Sequence, residues 1–273
     1  MNEQPLEFKV VDGGENVKTP DAIVTLPVLA MAAELLMDCN ATGGVGVIAG
    51  PSGSGKSVAL RRLVTRYPTM GLSGNAIYYC CQTSAGSTKG IRSILADIGV
   101  GGAIIANGHG APMQLILKIA LREFKRKNIR ALLLDESDRL DRDAVAGIFA
   151  LHDHLRDNGH PISLLMVTNQ DHPAWLADAD PIRSRTLRVI RVDHVSVDEM
   201  VGIMTAWSEE FAKFAKKVDS GDKAADEIAR HIHDSTEGDL RRVNFFARVY
   251  LRHFAGKDLT MKSTEATLER LDQ

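Results

Sequence analysis

The sequence lacks an excess of charge of either sign. Its 273 residues include 33 Lys and Arg against 35 Asp and Glu, so the formal net charge is only −2. This balance excludes a broadly basic protein that coats nucleic acid by bulk attraction. A local basic surface stays compatible with it, because affinity for phosphate depends on where the cations lie and not on their sum.

Cysteines and long apolar runs are also scarce. The three cysteines are Cys39 and the neighbours Cys80 and Cys81. Neighbours on a strand point to opposite faces, so the pair is not expected to form a disulfide, and all three are interpreted as small buried apolar residues in a reducing cytosol. The apolar run from Leu26 to Met37 is too short to span a bilayer, and the first residues are too polar for a signal peptide. A cytoplasmic protein without a membrane partner is expected.

What the sequence does contain is an alternation of short apolar strands and helices between residues 26 and 194. Such alternation is typical of an α/β fold in which helices cover both faces of a parallel sheet. From residue 195 to 273 the periodicity is helical only, and the first of these helices is predicted at Ser196–Lys216. The pattern predicts a polar arm at residues 1–25, an α/β domain at 26–194 and a small all-helical domain at 195–273. The predicted strands are Val45–Ala49, Ala76–Gln82, Arg130–Asp135, Ile162–Thr168 and Thr186–Val192.

A glycine-rich loop follows the first predicted strand and precedes a predicted helix. It fits the pattern Gly-x-x-x-x-Gly-Lys-Ser, and its context between strand and helix makes a chance glycine-rich turn the weaker explanation. The glycines let successive N–H groups form an anion nest, the lysine reaches the β- and γ-phosphates, and the serine hydroxyl ligates Mg²⁺. The residues predicted to bind ATP are Gly50, Pro51, Ser52, Gly53, Ser54, Gly55, Lys56, Ser57 and Val58.

Two acidic residues end the third predicted strand. Asp135 is expected to hold the Mg²⁺ shell together with Ser57, and Glu136 to polarise a water in line with the γ-phosphate. A helix-capping turn is the alternative explanation, because a polar turn follows. The next strand ends in Asn169, which would lie beside the acids and orient the attacking water, although asparagine is also a common turn former.

Together these features resemble the AAA+ ATPases, with Gly50–Ser57 similar to Walker A, Leu132–Glu136 to Walker B and Asn169 to sensor 1. The resemblance implies Mg²⁺-dependent hydrolysis of ATP to ADP and phosphate by a homo-oligomer. It also implies that Arg185 reaches the γ-phosphate bound by a neighbouring subunit. Arg241, at the start of a helix in the lid domain, would contact phosphates in its own subunit. For each arginine a surface salt bridge is the alternative.

Two other classes of protein with the same phosphate-binding loop (P-loop) fit the sequence less well. An ABC transporter domain needs a Leu-Ser-Gly-Gly-Gln-type helix shortly before Walker B. Here Leu72-Ser73-Gly74-Asn75 comes far too early, and the residues before Arg130 are rich in Lys and Arg. A small-molecule kinase does not need the acidic pair, the asparagine at the next strand end and a separate helical domain. The AAA+ class accounts for all of these features.

Within the AAA+ class the chain is similar to the transposition regulators, the group of the Mu B protein, TniB and TnsC. Its size, the arm with Thr19-Pro20 and the stretch from Leu132 to Leu140 carry this resemblance. The resemblance implies a sequence-nonspecific, ATP-dependent binder of double-stranded DNA that assembles as a ring or filament and recruits or activates a transposase. Such an array repeats each phosphate contact along the DNA, so one or two cations per subunit suffice.

The candidate DNA contacts lie between the second predicted strand and the helix that begins at Met113. They are Thr83, Lys89, Arg92 and His109. For Lys89, a solvated cation at a helix start is an equally good explanation. The basic run from Arg122 to Arg130 is an alternative DNA surface, although a solvated helix face explains it better.

Two further AAA+ functions compete with DNA transposition. An initiator or loader of the replication-origin type usually carries a winged-helix domain, and the sequence leaves no room for one after residue 256. An ATPase that acts on a protein complex, in secretion or phage defence, would not bind DNA at all, and no residue excludes it.

Overall fold

A computed structural model describes residues 26–81, 91–92, 94–95, 112–169 and 185–271 of the chain. Among these residues, five strands form one sheet in the order β2-β3-β4-β1-β5, and every neighbouring pair is parallel. The predicted α/β fold with a parallel sheet is confirmed. The strands are β1 (Val45–Ala49), β2 (Asn75–Cys80), β3 (Ile129–Asp135), β4 (Ser163–Thr168) and β5 (Thr186–Arg191).

Helices cover both faces of the sheet, because the central strands are apolar almost throughout. Every residue of β1 and β4 is buried, and so is every residue of β3 except Arg130. Leu133 belongs to the core on one face and Leu132 to the core on the other, as the alternation of side chains along a strand requires. The first core is closed by α1 (Pro27–Thr42) and α2 (Lys56–Arg66), and the second by α3 (Met113–Arg126) and α4 (Arg142–Asp157).

Local chemistry sets the ends of the helices that flank the sheet. Helix α1 starts at Pro27, whose missing N–H is not needed in a first turn, and ends at Gly43, whose φ of 62° is left-handed. Helix α4 starts after Asp141, whose carboxylate accepts a hydrogen bond from the N–H of Ala144 at 2.7 Å. Because Asp141 is the cap, the acidic pair at residues 135–136 is not explained as the cap of this helix.

The described residues from Val197 to Leu271 form helices joined by short turns. The prediction of a single helix at Ser196–Lys216 is wrong, because Ser208 interrupts it: its hydroxyl accepts the N–H of Phe211 and starts a second helix. Phe211 packs on Tyr250 and joins the second helix to the fourth. The five helices are α5 (Val197–Met204), α6 (Glu209–Asp219), α7 (Lys223–Thr236), α8 (Leu240–Phe254) and α9 (Met261–Leu268).

The expectation for the cysteines holds only in part. Cys39 and Cys81 are buried, but Cys80 is exposed at the end of β2. In the described part of the chain, no helix combines the length and apolar character that crossing a membrane requires. The same residues contain no cluster of three or more His, Cys, Asp or Glu side chains suited to a metal ion.

Candidate active site

The fold brings the predicted catalytic segments to one edge of the sheet. Gly50 follows β1, Glu136 follows β3, and Asn169 follows β4, which lies between the other two strands. Parallel strands place their carboxyl ends at a common edge, where open α/β sheets bind ligands. The backbone N–H of Asn169 also donates to Asp138 at 3.2 Å, which ties the end of β4 to the turn after β3.

The loop between β1 and α2 has the backbone that an anion nest needs. Gly53 and Gly55 have φ values of 84° and 88°, in the left-handed region that disfavours residues with side chains. A Cβ on Gly53 would also collide with the carboxylate of Asp239. Helix α2 begins at Lys56 directly after the loop, so the loop lies at the positive end of that helix.

Lys56 is buried inside this loop, with 4% of its surface exposed. Its ammonium donates hydrogen bonds to the carbonyl oxygens of Gly50, at 2.8 Å, and Pro51, and to the Ser54 hydroxyl at 3.1 Å. Burial lowers the pKa of Lys56 to about 8, against a smaller opposing effect of Asp135. A buried cation held by neutral oxygens is poorly compensated, so an anion such as a phosphate is a favourable partner for it.

The acidic pair at the end of β3 is held by its surroundings. Asp135 is 2% exposed, and its Oδ1 accepts the N–H of Glu136 at 2.9 Å. Glu136 has φ 53° and ψ 40°, a left-handed conformation that is uncommon for a residue with a side chain and that clusters at functional sites. Its carboxylate forms an ion pair with Arg139 at 2.9 Å and accepts a weak bond from the Cys80 thiol at 3.7 Å.

A tyrosine of β2 completes the surroundings of Asp135. Tyr78 donates its hydroxyl to Asp135 Oδ2 at 2.7 Å, and the guanidinium of Arg61 lies 5.4 Å from the centre of the tyrosine ring. Burial raises the pKa of Tyr78, and the bond to Asp135 adds to the rise against the lowering effect of Arg61. The phenol therefore stays a neutral donor, and each oxygen of Asp135 has a hydrogen-bond partner in the chain.

The C-terminal helices meet the loop through the start of α8. The guanidinium of Arg241 donates to Ser52 Oγ at 2.7 Å, and the N–H of Leu240 donates to the carbonyl oxygen of Gly53 at 3.0 Å. Arg242 turns away and pairs with an acidic residue at 3.3 Å. Of the two arginines that the sequence offers at this position, Arg241 is the one that the structure places against the loop.

Beside the loop lies a cavity of about 180 Å³. Its walls combine apolar side chains with polar and charged ones, among them Arg191, Asp193 and Glu199. Because Ser54 belongs to both the loop and the cavity wall, a ligand whose phosphates lie in the loop can place the group attached to those phosphates in the cavity. The walls come from the start of α1, the loop and the end of β5, and include Leu26, Met31, Ser54, Val192 and His194.

Arg185 lies at the opposite edge of the sheet from the loop. It precedes β5, which starts beside the start of β1, whereas the loop follows the end of β1. At ~3.3 Å per strand residue, about 20 Å separates Arg185 from Gly50 of the same chain. The Arg185 guanidinium forms an ion pair with Asp153 of α4 at 2.8 Å, and Arg156 contacts the same carboxylate at 3.2 Å. Arg185 is therefore out of reach of phosphates bound to its own loop.

The predicted DNA contacts are mostly outside the described residues, and their role stays a prediction. Thr83, Lys89 and His109 belong to that group, while Arg92 is half-buried in a helical segment. On the alternative basic surface, Arg122 and Arg126 both pair with Glu123, at 3.4 Å and 2.7 Å. Those two ion pairs are what a solvated helix face would show.

The residues at the carboxyl edge of the sheet fit a nucleotide bound with a divalent cation. The loop supplies N–H groups and a cation for phosphates. Ser57, half-buried at the start of α2, and Asp135 supply a hydroxyl and a carboxylate, the hard oxygen ligands that Mg²⁺ prefers. Val58, which the sequence also grouped with the loop, is 48% exposed.

Several residues at this edge carry no sequence motif. Tyr78, Arg61 and the cavity walls come from segments far apart in the chain, and no spacing rule links them. Asp239 has a usable signal, because an aspartate directly before a helical pattern is a capping residue, and here it accepts the N–H of Arg241 at 2.7 Å.

Comparison with known proteins gives a family and a fold. None of the curated proteins matches the sequence significantly. Among solved structures, the ORC2 protein of Aeropyrum pernix in its ADPNP-ADP complexes has a TM-score of 0.69 at 15% identity, over 93% of this chain and 70% of that one. Cdc6p of Pyrobaculum aerophilum has a TM-score of 0.60 at 20% identity, over 88% and 64%. The Thermotoga maritima RuvB Holliday junction branch migration motor has 0.55 at 17% identity, over 89% and 68%.

Identities this low show a shared fold and nothing finer. A family model described as an AAA domain, however, matches residues 39–175, just over half of the chain. That segment contains β1 to β4, the glycine-rich loop, the acidic pair and Asn169. The chain therefore belongs to the AAA domain family and has the P-loop fold of the AAA+ ATPases.

Proposed function

We propose that the carboxyl edge of the sheet binds ATP with Mg²⁺ and hydrolyses it to ADP and phosphate. One observation carries this proposal: a buried, poorly compensated Lys56, the pair Asp135 and Glu136, and Asn169 converge there beside a cavity of about 180 Å³. Membership of the AAA domain family supports the same reaction.

Each residue has a defined task in this proposal. The loop N–H groups and the Lys56 ammonium hold the β- and γ-phosphates. Ser57 and Asp135 hold Mg²⁺, which neutralises charge on the phosphates when bound. Glu136 takes a proton from the attacking water, and Asn169 orients that water.

The proposal extends to the domains. Residues 26–194 form the ATPase domain and residues 195–273 a lid, with residues 1–25 as an arm. The contact of Arg241 with Ser52 at 2.7 Å supports this division of tasks, because it links the first turn of a lid helix to the loop that would hold the phosphates. Arg241 then contacts a phosphate of its own subunit when nucleotide is bound.

Glu136→Gln should bind ATP normally but hydrolyse it about 100-fold more slowly, or worse, because the amide cannot take a proton from water. Binding is measured with a fluorescent ATP analogue and turnover by phosphate release. Glu269→Gln, the same change on an exposed residue at the end of α9, is the control. Unaltered turnover in Glu136→Gln would remove this residue from the role of base.

We further propose that this ATPase works in DNA transposition in the cytoplasm. It binds double-stranded DNA without sequence preference, assembles on it as a ring or filament, and recruits or activates a transposase. The resemblance to the transposition regulators supplies this function, and the charge on α8 supports its DNA-binding part.

Helix α8 presents a basic face. It carries four arginines, one histidine and no acidic residue, in a chain whose net charge is −2. Arg248 and Arg252 are exposed one turn apart, and Phe245, one turn before them, is 53% exposed. Cations at this spacing can contact phosphates along a strand, and an exposed aromatic ring beside them can pack on sugars and bases. Since Arg241 of the same helix contacts the loop, one helix connects the nucleotide site to this face.

Removing both exposed arginines should weaken DNA binding and make it less dependent on salt. For Arg248→Ala with Arg252→Ala, the slope of log affinity against log salt concentration should fall in magnitude by about 2, since each lost phosphate contact changes it by ~0.9. The measurement is fluorescence anisotropy of a labelled duplex with a non-hydrolysable ATP analogue.

The matched control is Lys213→Ala with Lys216→Ala, which removes two exposed cations from α6. A double arginine variant with the wild-type slope would exclude α8 from the DNA contact. If the wild-type protein does not bind DNA even at low salt, the transposition function fails as a whole, and an ATPase that acts on a protein complex becomes the better explanation.

A further inference from the structure

The bond between Tyr78 and Asp135 is not a consequence of sheet pairing. In the register of β2 and β3, the direct neighbour of Asp135 is Cys80, whereas Tyr78 pairs with Leu133. The tyrosine hydroxyl therefore reaches diagonally along one face of the sheet to the carboxylate, at 2.7 Å. A phenylalanine would fill the same half-buried space, so packing alone does not call for the hydroxyl.

Arg61 clamps this tyrosine from the helix that carries the loop. It lies five residues after Lys56 on α2, and its guanidinium is 5.4 Å from the centre of the Tyr78 ring. A cation over an aromatic face is attracted by the ring electrons. The side-chain hydrogen bond with Tyr78 also raises the pKa of Arg61. The ring is thus held between α2 and the sheet, with its hydroxyl directed to the carboxylate.

Asp135 retains the capacity to do more than accept these bonds. Its Oδ1 takes the N–H of Glu136 at 2.9 Å and its Oδ2 takes the hydroxyl of Tyr78 at 2.7 Å. Each carboxylate oxygen has two lone pairs, so one on each oxygen is left for other ligands. The terminal torsion of an aspartate is soft, and the bond to Tyr78 restrains the carboxylate against rotation about it.

We propose that Tyr78 is a positioning residue for Asp135: its hydroxyl fixes the orientation of the carboxylate that holds the Mg²⁺ shell, and Arg61 holds Tyr78 in place. This inference rests on the proposed ATP hydrolysis, because it assigns a partner to the metal-holding carboxylate of that reaction. The binding of Mg²⁺ should therefore depend on Tyr78, whereas the binding of the nucleotide without Mg²⁺ should not.

The test compares Tyr78→Phe with the wild type in two measurements. Binding of a fluorescent ATP analogue in EDTA should stay within about 2-fold, because the loop is untouched. Mg²⁺ should increase the affinity for the analogue, and the Mg²⁺ concentration needed for half of that increase should rise about 10-fold in Tyr78→Phe. This factor corresponds to the loss of one hydrogen bond to a charged group. The Mg²⁺ concentration for half-maximal hydrolysis should rise in parallel. Arg61→Ala should raise the Mg²⁺ concentrations for half-maximal affinity gain and for half-maximal hydrolysis by about 3-fold, because it loosens the tyrosine without removing its hydroxyl.

Tyr79→Phe is the matched control, since it removes a hydroxyl from the next residue of β2, whose side chain lies in the core on the opposite face. It should leave the Mg²⁺ requirement unchanged. An unchanged or lower Mg²⁺ requirement in Tyr78→Phe, with normal wild-type binding, would overturn the positioning role alone. A wild-type protein that binds no nucleotide would overturn the proposed ATPase function and this inference with it. If Tyr78→Phe does not fold, Arg61→Ala decides between the same outcomes.

Discussion

Lys56→Ala should remove nucleotide binding from this protein. The Lys56 ammonium lies inside the loop, where it donates to the carbonyl oxygens of Gly50 and Pro51 and to the hydroxyl of Ser54. In the proposed complex it bonds two phosphates instead, and a hydrogen bond between charged groups contributes about 1.5–3 kcal/mol. Losing both bonds lowers the affinity by about 100-fold or more. Hydrolysis should then fall below detection at ordinary ATP concentrations.

A thermal shift gives the most direct measurement of this loss. At about 100 times its dissociation constant, a nucleotide stabilises the folded state by ~2.7 kcal/mol, which raises Tm by several degrees in a protein of this size. That shift should be present in the wild type and absent in Lys56→Ala. Lys262→Ala, which removes an exposed lysine from α9, should keep it. Intact ATP affinity in Lys56→Ala would refute the assignment of the loop.

The sheet and the loop could be predicted because their signals are local. A short apolar run such as Leu132 to Leu134, with charged residues at Arg130 and Asp135 on either side, is typical of a buried strand. The spacing of the glycines and the lysine in the loop is specific in itself. The break in the first C-terminal helix does not follow from the periodicity, because apolar residues on both sides of Ser208 continue the same pattern. The hydrogen bond from the Phe211 N–H identifies the serine as the cap of a new helix.

The contacts that refine the site could not be predicted, because the fold creates them. Tyr78 and Asp135 are 57 positions apart, and their hydrogen bond depends on the register of β2 against β3. The contact of Arg241 with Ser52 spans 189 positions and depends on how α8 packs on the loop. A sequence pattern can predict which helix or strand a residue belongs to, but it does not predict which distant residue its side chain contacts.

Arg185→Ala should lower hydrolysis by roughly 10³-fold while leaving ATP binding intact. A cation at the transferred γ-phosphoryl group contributes about that much in related phosphoryl-transfer reactions. In this fold Arg185 lies about 20 Å from Gly50 of the same chain, so a phosphate within its reach would have to be bound by another copy. In this structure the arginine forms an ion pair with Asp153 at 2.8 Å.

Arg156→Ala is the control that separates this role from a structural one. Arg156 contacts the same carboxylate of Asp153 at 3.2 Å, so its loss disturbs the local ion pairs without removing Arg185. If Arg185 only stabilises α4 through Asp153, the two variants should lower both Tm and activity to a similar extent. If it acts on phosphate, Arg156→Ala should keep most of its activity and Arg185→Ala should not.

Mixing two inactive variants tests directly for action across a subunit boundary. Arg185→Ala keeps its loop and Glu136 but lacks the arginine, whereas Glu136→Gln lacks the base but keeps Arg185. In a head-to-tail assembly, a junction is complete when the loop comes from Arg185→Ala and the arginine comes from Glu136→Gln. In an equal mixture each condition holds in about half of the junctions, so about a quarter of the junctions are complete. Activity should therefore return to about that fraction of the wild type, although neither variant is active alone. A mixture that stays inactive while still forming oligomers would exclude action in trans. Because Arg185 cannot reach the loop of its own chain, a structural role such as the ion pair with Asp153 would then explain this arginine.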